Sequence, residues 1–231
     1  MSNRASAVSN LTSAISGRVP AFVAVASALA VLALPTSAHA QACLGNVAGN
    51  GQGFASAGAS FTDGAWSLNA TGGGNTAGPV ALQTDVNHTM TDDFDLGITS
   101  MSATGAVEIP SDDVSACPVA SFGYQWLSDE GDLSGLDVSA DGILVSGGMA
   151  LGADVTGDSD FAFIPRVAAS VVHNRATVEA LGVSDTESDT YGAFGAGMEL
   201  GGSAVYGGPS VSVTTQEDSD PVFTVGLGAA F

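Results

Sequence analysis

The sequence predicts an all-β chain: a transmembrane antiparallel up-and-down β-barrel of about ten strands, with eight as the alternative. Three observations lead there. Apolar residues recur with period two in ten segments bounded by Gly, Asp, Ser and Asn. Acids avoid the interiors of those segments. The 231-residue chain stops inside one of them, "PVFTVGLGAAF", with Phe231 last. Soluble domains usually finish on a few polar residues, so this terminus is expected to be held in something.

The N-terminal stretch "MSNRASAVSNLTSAISGRVP" carries Arg4 and Arg18 and no acid; "AFVAVASALAVLAL" (21–34) and "PTSAHA" follow. A charged, then apolar, then A-x-A order is that of a secretory signal, with the cut expected after Ala40. The apolar run is shorter than the roughly 20 residues a membrane helix needs. Residues 1–40 therefore read as a signal peptide, 41–51 as a periplasmic N-terminal segment and 52–231 as one barrel domain. Cys43 lies just past the cut, but "AQAC" lacks the leucine-like residue usual before a lipidated cysteine.

Composition narrows the function classes. The signal holds two of the four Arg and none of the 24 acids, so the rest of the chain sets 2 Arg against 24 acids, a net charge of −22, with no Lys. Such a chain repels phosphates, which excludes nucleic acid as a partner. It is not disordered by composition, because 45% of residues are hydrophobic and only 12% charged. Cys43 and Cys117 are the only cysteines, and export to an oxidising compartment lets them form one disulfide. Neither has a second Cys or a His at metal-ligand spacing.

The ten expected strands are 52–61, 64–71, 77–87, 93–103, 117–126, 142–152, 160–172, 189–200, 204–215 and 221–231. Most have the length a tilted strand needs to cross a bilayer. Each has one apolar row and one small or polar row: Trp66, Leu68 and Ala70 oppose Ser67, Asn69 and Thr71, and Phe122, Tyr124 and Trp126 oppose Ser121, Gly123 and Gln125. A soluble sandwich also alternates, so other features must decide. With the last strand ending on the inside, the outer connectors become 62–63, 88–92, 127–141, 173–188 and 216–220. The inner ones become 72–76, 104–116, 153–159 and 201–203. Long outside and short inside is the barrel rule, with 104–116 the exception. On this assignment all acids, Asp85 included, fall in connectors or their margins except Glu199. Phe61, Trp66, Phe94, Trp126 and Phe223 fall near outer ends and Phe161 and Phe231 near inner ends, as interface girdles require.

With these features the sequence resembles small bacterial outer-membrane β-barrel proteins, whose last strand ends in Phe with apolar residues at alternate positions before it. Here those are Phe223, Val225, Leu227, Ala229 and Phe231. The resemblance implies that this strand is what the barrel-assembly machinery recognises, and that outer-membrane lipid surrounds the wall.

Candidate sites are few. The inward rows are expected to be mostly Gly, Ala and Ser, with Arg166 and Glu199 as a lumenal ion pair on neighbouring strands. That pair serves either to fix register or to act as a charged gate. His88 and His173 lie near outer strand ends beside Asp92, Asp93 and Asp189, which invites comparison with the Asp–His pair of omptin-type proteases; no second constellation can be placed by spacing. In "SVVH", Ser170 and His173 fall on opposite faces, which disfavours an acyl hydrolase. The clusters "SDEGD", "SDTESD" and "QEDSD" suit divalent cations but follow no helix-loop-helix calcium pattern. No cofactor and no catalytic residue is assigned. The expected function is a structural, surface-interaction or narrow-pore barrel of the cell outer membrane, not an enzyme. The alternatives are a conduit for small or hydrophobic solutes, an omptin-like or lipid-modifying barrel enzyme, and a soluble secreted β-sandwich.

Overall fold

The computed structural model describes residues 36–37, 45–46, 52–75, 80–92, 96–109, 114–129, 138–153, 155, 161–202, 204–217 and 219–231. β1 (Thr36–Ser37) and β2 (Gly45–Asn46) form a short parallel pair. The wall is β3 (Gly53–Thr62), β4 (Ala65–Asn75), β5 (Val80–Thr91), β6 (Gly97–Val107), β7 (Ser115–Asp129), β8 (Val138–Gly152), β9 (Phe161–Ala180), β10 (Val183–Gly202), β11 (Val205–Thr214) and β12 (Val222–Ala230). These ten close into a barrel in chain order, every neighbour antiparallel, with β12 returning to pair with β3 from Phe223↔Phe61 to Ala230↔Phe54. Closure leaves the barrel wall no open edge along its common height. β3 and β4 are full wall strands, so the eight-strand alternative is overturned. Apart from Thr36–Ser37 and Gly45–Asn46, the expected signal peptide and segment 41–51 lie outside the described residues.

Alternation explains the wall. On β12, Phe223, Val225, Leu227 and Ala229 face outward while Val222, Thr224, Gly226, Gly228 and Ala230 face the lumen. The same parity puts Leu82 and Val86, Met101, Phe122, Ile143, Val145, Val167, Val171 and Phe194 on the exterior of the other strands. Leu227 is 71% exposed, whereas Val172 in the lumen is 0%. An exterior so continuously apolar is not a soluble surface.

Two expectations about the connectors need correction. Residues 173–188 are not a loop. β9 and β10 run on to a two-residue turn at Leu181 (φ 55°) and Gly182 (φ 77°), a left-handed pair that matches hairpin twist. Leu is an uncommon occupant of that region, so the turn is hard to see. The flanking residues are also hidden, because a strand wetted on both faces loses its apolar period, and every residue from Val183 to Thr190 is exposed. The expected loop 127–141 likewise shrinks to 130–137.

As a result, loop length does not distinguish the two rims. At the rim opposite Gly53 and Phe231, the far rim, the connectors are 63–64, 92–96, 130–137, 181–182 and 215–221; at the near rim they are 76–79, 108–114, 153–160 and 203–204. Strand height differs instead. β8, β9 and β10 stay paired up to Val138↔Ala180 and Val183↔Ala180, but β10 meets β11 only from Ala193↔Thr214 downward.

The inward rows are rich in Gly, Ala and Ser, as on β8, β10 and β12, and the larger side chains among them are buried. One wall is polar, with Ser67, Gln83, Asp85, Asn87, Thr89, Ser100, Thr104 and Gln125 all buried. Val119, Leu144, Ala150, Val172, Tyr191 and Ala193 of β7–β10 form an apolar cluster with Cys117, joined by Ala81 of β5 and Ala106 of β6. Glycines give the larger side chains room: a Cβ on Gly73 would lie 2.7 Å from Cζ of Phe54, so that buried ring lies over its backbone.

Candidate functional site

Arg166 and Glu199 come together in the lumen. Arg166 on β9 pairs across with Gly197, and Glu199 with Ile164, so the two charges are diagonal neighbours in the inward row. Arg166 Nη2 lies 3.8 Å from Glu199 Oε1, a charge contact longer than a hydrogen bond. Gly197 provides the space, since a Cβ there would sit 2.9 Å from Arg166 Nε. The side chains are 14% and 11% exposed, so water screens the pair poorly. Two opposite charges in diagonal positions on β9 and β10 are placed where they can hold the register of those strands.

Asp85 is the site residue that the sequence misplaces. Instead of an outer margin it occupies the middle of β5, buried in the lumen. Its Oδ1 accepts hydrogen bonds from Thr71 Oγ1 and Gln83 Nε2, both at 2.7 Å. Its Oδ2 accepts one from Ser102 Oγ at 3.5 Å. Hydroxyls and an amide thus satisfy it, and no cation is paired with it among the described residues. The alternation of "VALQTDVNHTMT" carried the signal: Ala81, Gln83, Asp85, Asn87, Thr89 and Thr91 form one inward row.

Among the described residues neither His88 nor His173 meets an aspartate, and Asp93 lies outside them. His88 lies on the outward row of β5 near the far rim, with Nδ1 3.0 Å from Thr99 Oγ1 and 3.5 Å from Ser128 Oγ. Thr99 donates to Ser128 at 2.9 Å. His173 Nδ1 lies 2.9 Å from Thr190 Oγ1. Ser170 is buried inward and His173 faces out, as the spacing requires. Among the described residues no group of three or more His, Cys, Asp or Glu is arranged to hold a metal ion.

Cys117 is fully buried at the near end of β7 and disulfide-bonded. Cys43, its expected partner, lies outside the described residues. The C-terminal row Phe223, Val225, Leu227, Ala229 and Phe231 faces outward along its whole length. Gly53 and Phe231 exchange two backbone hydrogen bonds at 2.9 Å, which close the barrel at the near rim. Phe223, Phe61 and Trp66 stand side by side through the registers Phe223↔Phe61 and Phe61↔Trp66, an aromatic band near the far rim. Tyr124 and Trp126 stack 5.8 Å apart on β7.

The acids of "SDTESD" belong to β10. Ser184, Thr186 and Ser188 occupy one row, Asp185, Glu187 and Asp189 the other. With β8 and β9 they form a three-stranded sheet standing above the far rim.

No family model matches the chain, and no curated protein does. Solved structures with a similar course include the attachment invasion locus protein Ail of Yersinia pestis (14% identity, TM-score 0.43, 79% of this chain and 100% of that one). Others are the N-terminal β-barrel domain of Pseudomonas aeruginosa OprF (14%, 0.39, 79% and 99%) and the β domain of the Bordetella autotransporter BrkA (13%, 0.49, 79% and 100%). At these values they add nothing to what the strand order of the chain itself shows: a closed ten-stranded antiparallel barrel.

Proposed function

We propose that this chain is an outer-membrane barrel of closed lumen that serves as surface structure, presenting an acidic sheet outside the cell. The observation that carries the reading is the buried interior. Ser67 and Val172 are 0% exposed and Thr89 and Asn174 1%, on strands from opposite sides of the barrel, which supports an interior closed at their level. Outer-membrane placement is supported by the apolar exterior and the aromatic band, which suit lipid and its interface. The raised sheet places Glu179, Asp185, Glu187 and Asp189 in water at the far rim, which is then the extracellular one. On this reading the lumenal pair and the Asp85 network are internal stabilisers, and neither a conduit nor an enzyme is required. Planar-bilayer recording of the purified barrel tests it: silence is expected, and reproducible open steps would establish a conduit instead.

A further inference from the structure

We infer that the upper part of β10 is a docking edge for an extended, cationic polypeptide segment, which joins the raised sheet as a fourth strand. The inference deepens the surface-structure reading, since it names the partner chemistry of the same raised sheet.

The edge is open over a definite stretch. β10 pairs with β9 continuously from Val183↔Ala180 down, but its pairing with β11 begins only at Ala193↔Thr214. Just below the open stretch, Gly192 turns its backbone towards β11: its N–H donates to Thr215 Oγ1 and its C=O accepts from Thr215 N–H, both at 2.9 Å. Alternate residues of a strand turn their N–H and C=O to the same side. Ser184, Thr186, Ser188 and Thr190 therefore direct theirs away from β9. At Thr190 the N–H is taken by Asp189 Oδ1 at 2.7 Å, and Gln216 Nε2 donates to Asp189 Oδ2 at 2.7 Å. Those bonds seal the bottom of the edge. Above them the backbone groups of Ser184, Thr186 and Ser188 pair with no second strand among the described residues. An unpaired row of this kind is a template for strand addition.

Charge selects the occupant. Register sets Asp185 opposite Val178, Glu187 opposite Ala176 and Asp189 opposite Asn174, so β9 offers these acids no cation. Arg175, the one cation of the raised sheet, lies opposite Ser188 on the other face. Among the described residues, the side chains of Asp185 and Glu187 have no partner. A strand added at the edge would bring its side chains within about 5 Å of this row. Lys or Arg at every second position would meet Asp185 and Glu187, and small polar residues between them would meet Ser184, Thr186 and Ser188. A second copy of this edge is disfavoured, because pairing would set acid beside acid.

The experiment uses the full barrel in detergent and a fluorescent synthetic nonapeptide of alternating lysine and threonine. A second peptide carries N-methyl groups on alternate backbone amides, which keeps the charge and removes the strand-forming N–H groups. The first peptide is expected to bind, and the methylated one to bind at least roughly tenfold more weakly. Thr186→Pro removes one outward N–H at an edge position where proline is tolerated and should weaken binding about five- to tenfold. Thr186→Val loses the same contact to Thr177 Oγ1 but keeps the N–H, and should bind like the original. Unchanged migration of both variants on an unheated gel shows that the barrel has folded. Equal binding of both peptides, equal binding by Thr186→Pro, or no binding at all would overturn the proposal. A silent bilayer recording alongside such a result would leave the closed-lumen reading standing.

Discussion

Replacing Arg166 by Met leaves the Glu199 carboxylate inside the lumen without its cation. At 3.8 Å two unit charges attract by about 4 kcal/mol at an effective dielectric of about 20. With side chains only 14% and 11% exposed, little of that is screened. Removing one member of a buried pair costs about 3–5 kcal/mol, most of it the desolvation of the charge left behind. Arg166→Met should therefore destabilise the barrel by about that amount. The double change Arg166→Met with Glu199→Leu removes both charges and should fall within about 1 kcal/mol of the original. The assay is urea unfolding in phospholipid vesicles, followed by tryptophan fluorescence for the original, both single variants and the double. Single changes that each cost under about 1 kcal/mol and add in the double would refute the structural role, as the charges would then be uncoupled. An unchanged unfolding curve combined with new conductance in Arg166→Met would assign the pair to a gate.

Leu227 lies mid-strand on the outward row of β12, so Leu227→Arg should cost about 2–4 kcal/mol in vesicles; a cost under about 0.5 kcal/mol would mean that this face meets water. Deleting Phe231 removes its two backbone bonds to Gly53, roughly 2 kcal/mol at the seam, together with the terminal ring. Membrane insertion should fall more than secretion, as judged by fractionation, and equal levels of both would count against an assembly signal. A non-reducing peptide map should contain a Cys43–Cys117 link, and a free Cys43 thiol would remove that pairing.

The wall strands were legible because each has one face in an apolar medium and one in the lumen, so period two survives in the sequence. Where that asymmetry ends, legibility ends too: Asn174 to Ala180 and Val183 to Thr190 are strand, yet polar side chains lie on both faces and Leu181 conceals the turn. Arg166 and Glu199 could be paired because parity alone placed both inward on adjacent strands. Asp85 was misplaced because an acid in mid-wall is acceptable only with local donors. Thr71 and Ser102 come from the neighbouring strands, and register, which the sequence does not display, brings them there. Where the larger side chains lie inside the barrel is hidden for a related reason. Gly73 reads as open space until Phe54, nineteen positions earlier, is seen lying over it.

In the proposed membrane barrel the apolar row of each of the ten strands faces lipid. Heat-modifiable migration of the protein taken from outer-membrane fractions tests fold and location together. The unheated protein should sediment with those membranes and run as a compact band, shifting to a slower one on boiling. Recovery in the aqueous fraction, with one mobility before and after boiling, would contradict it.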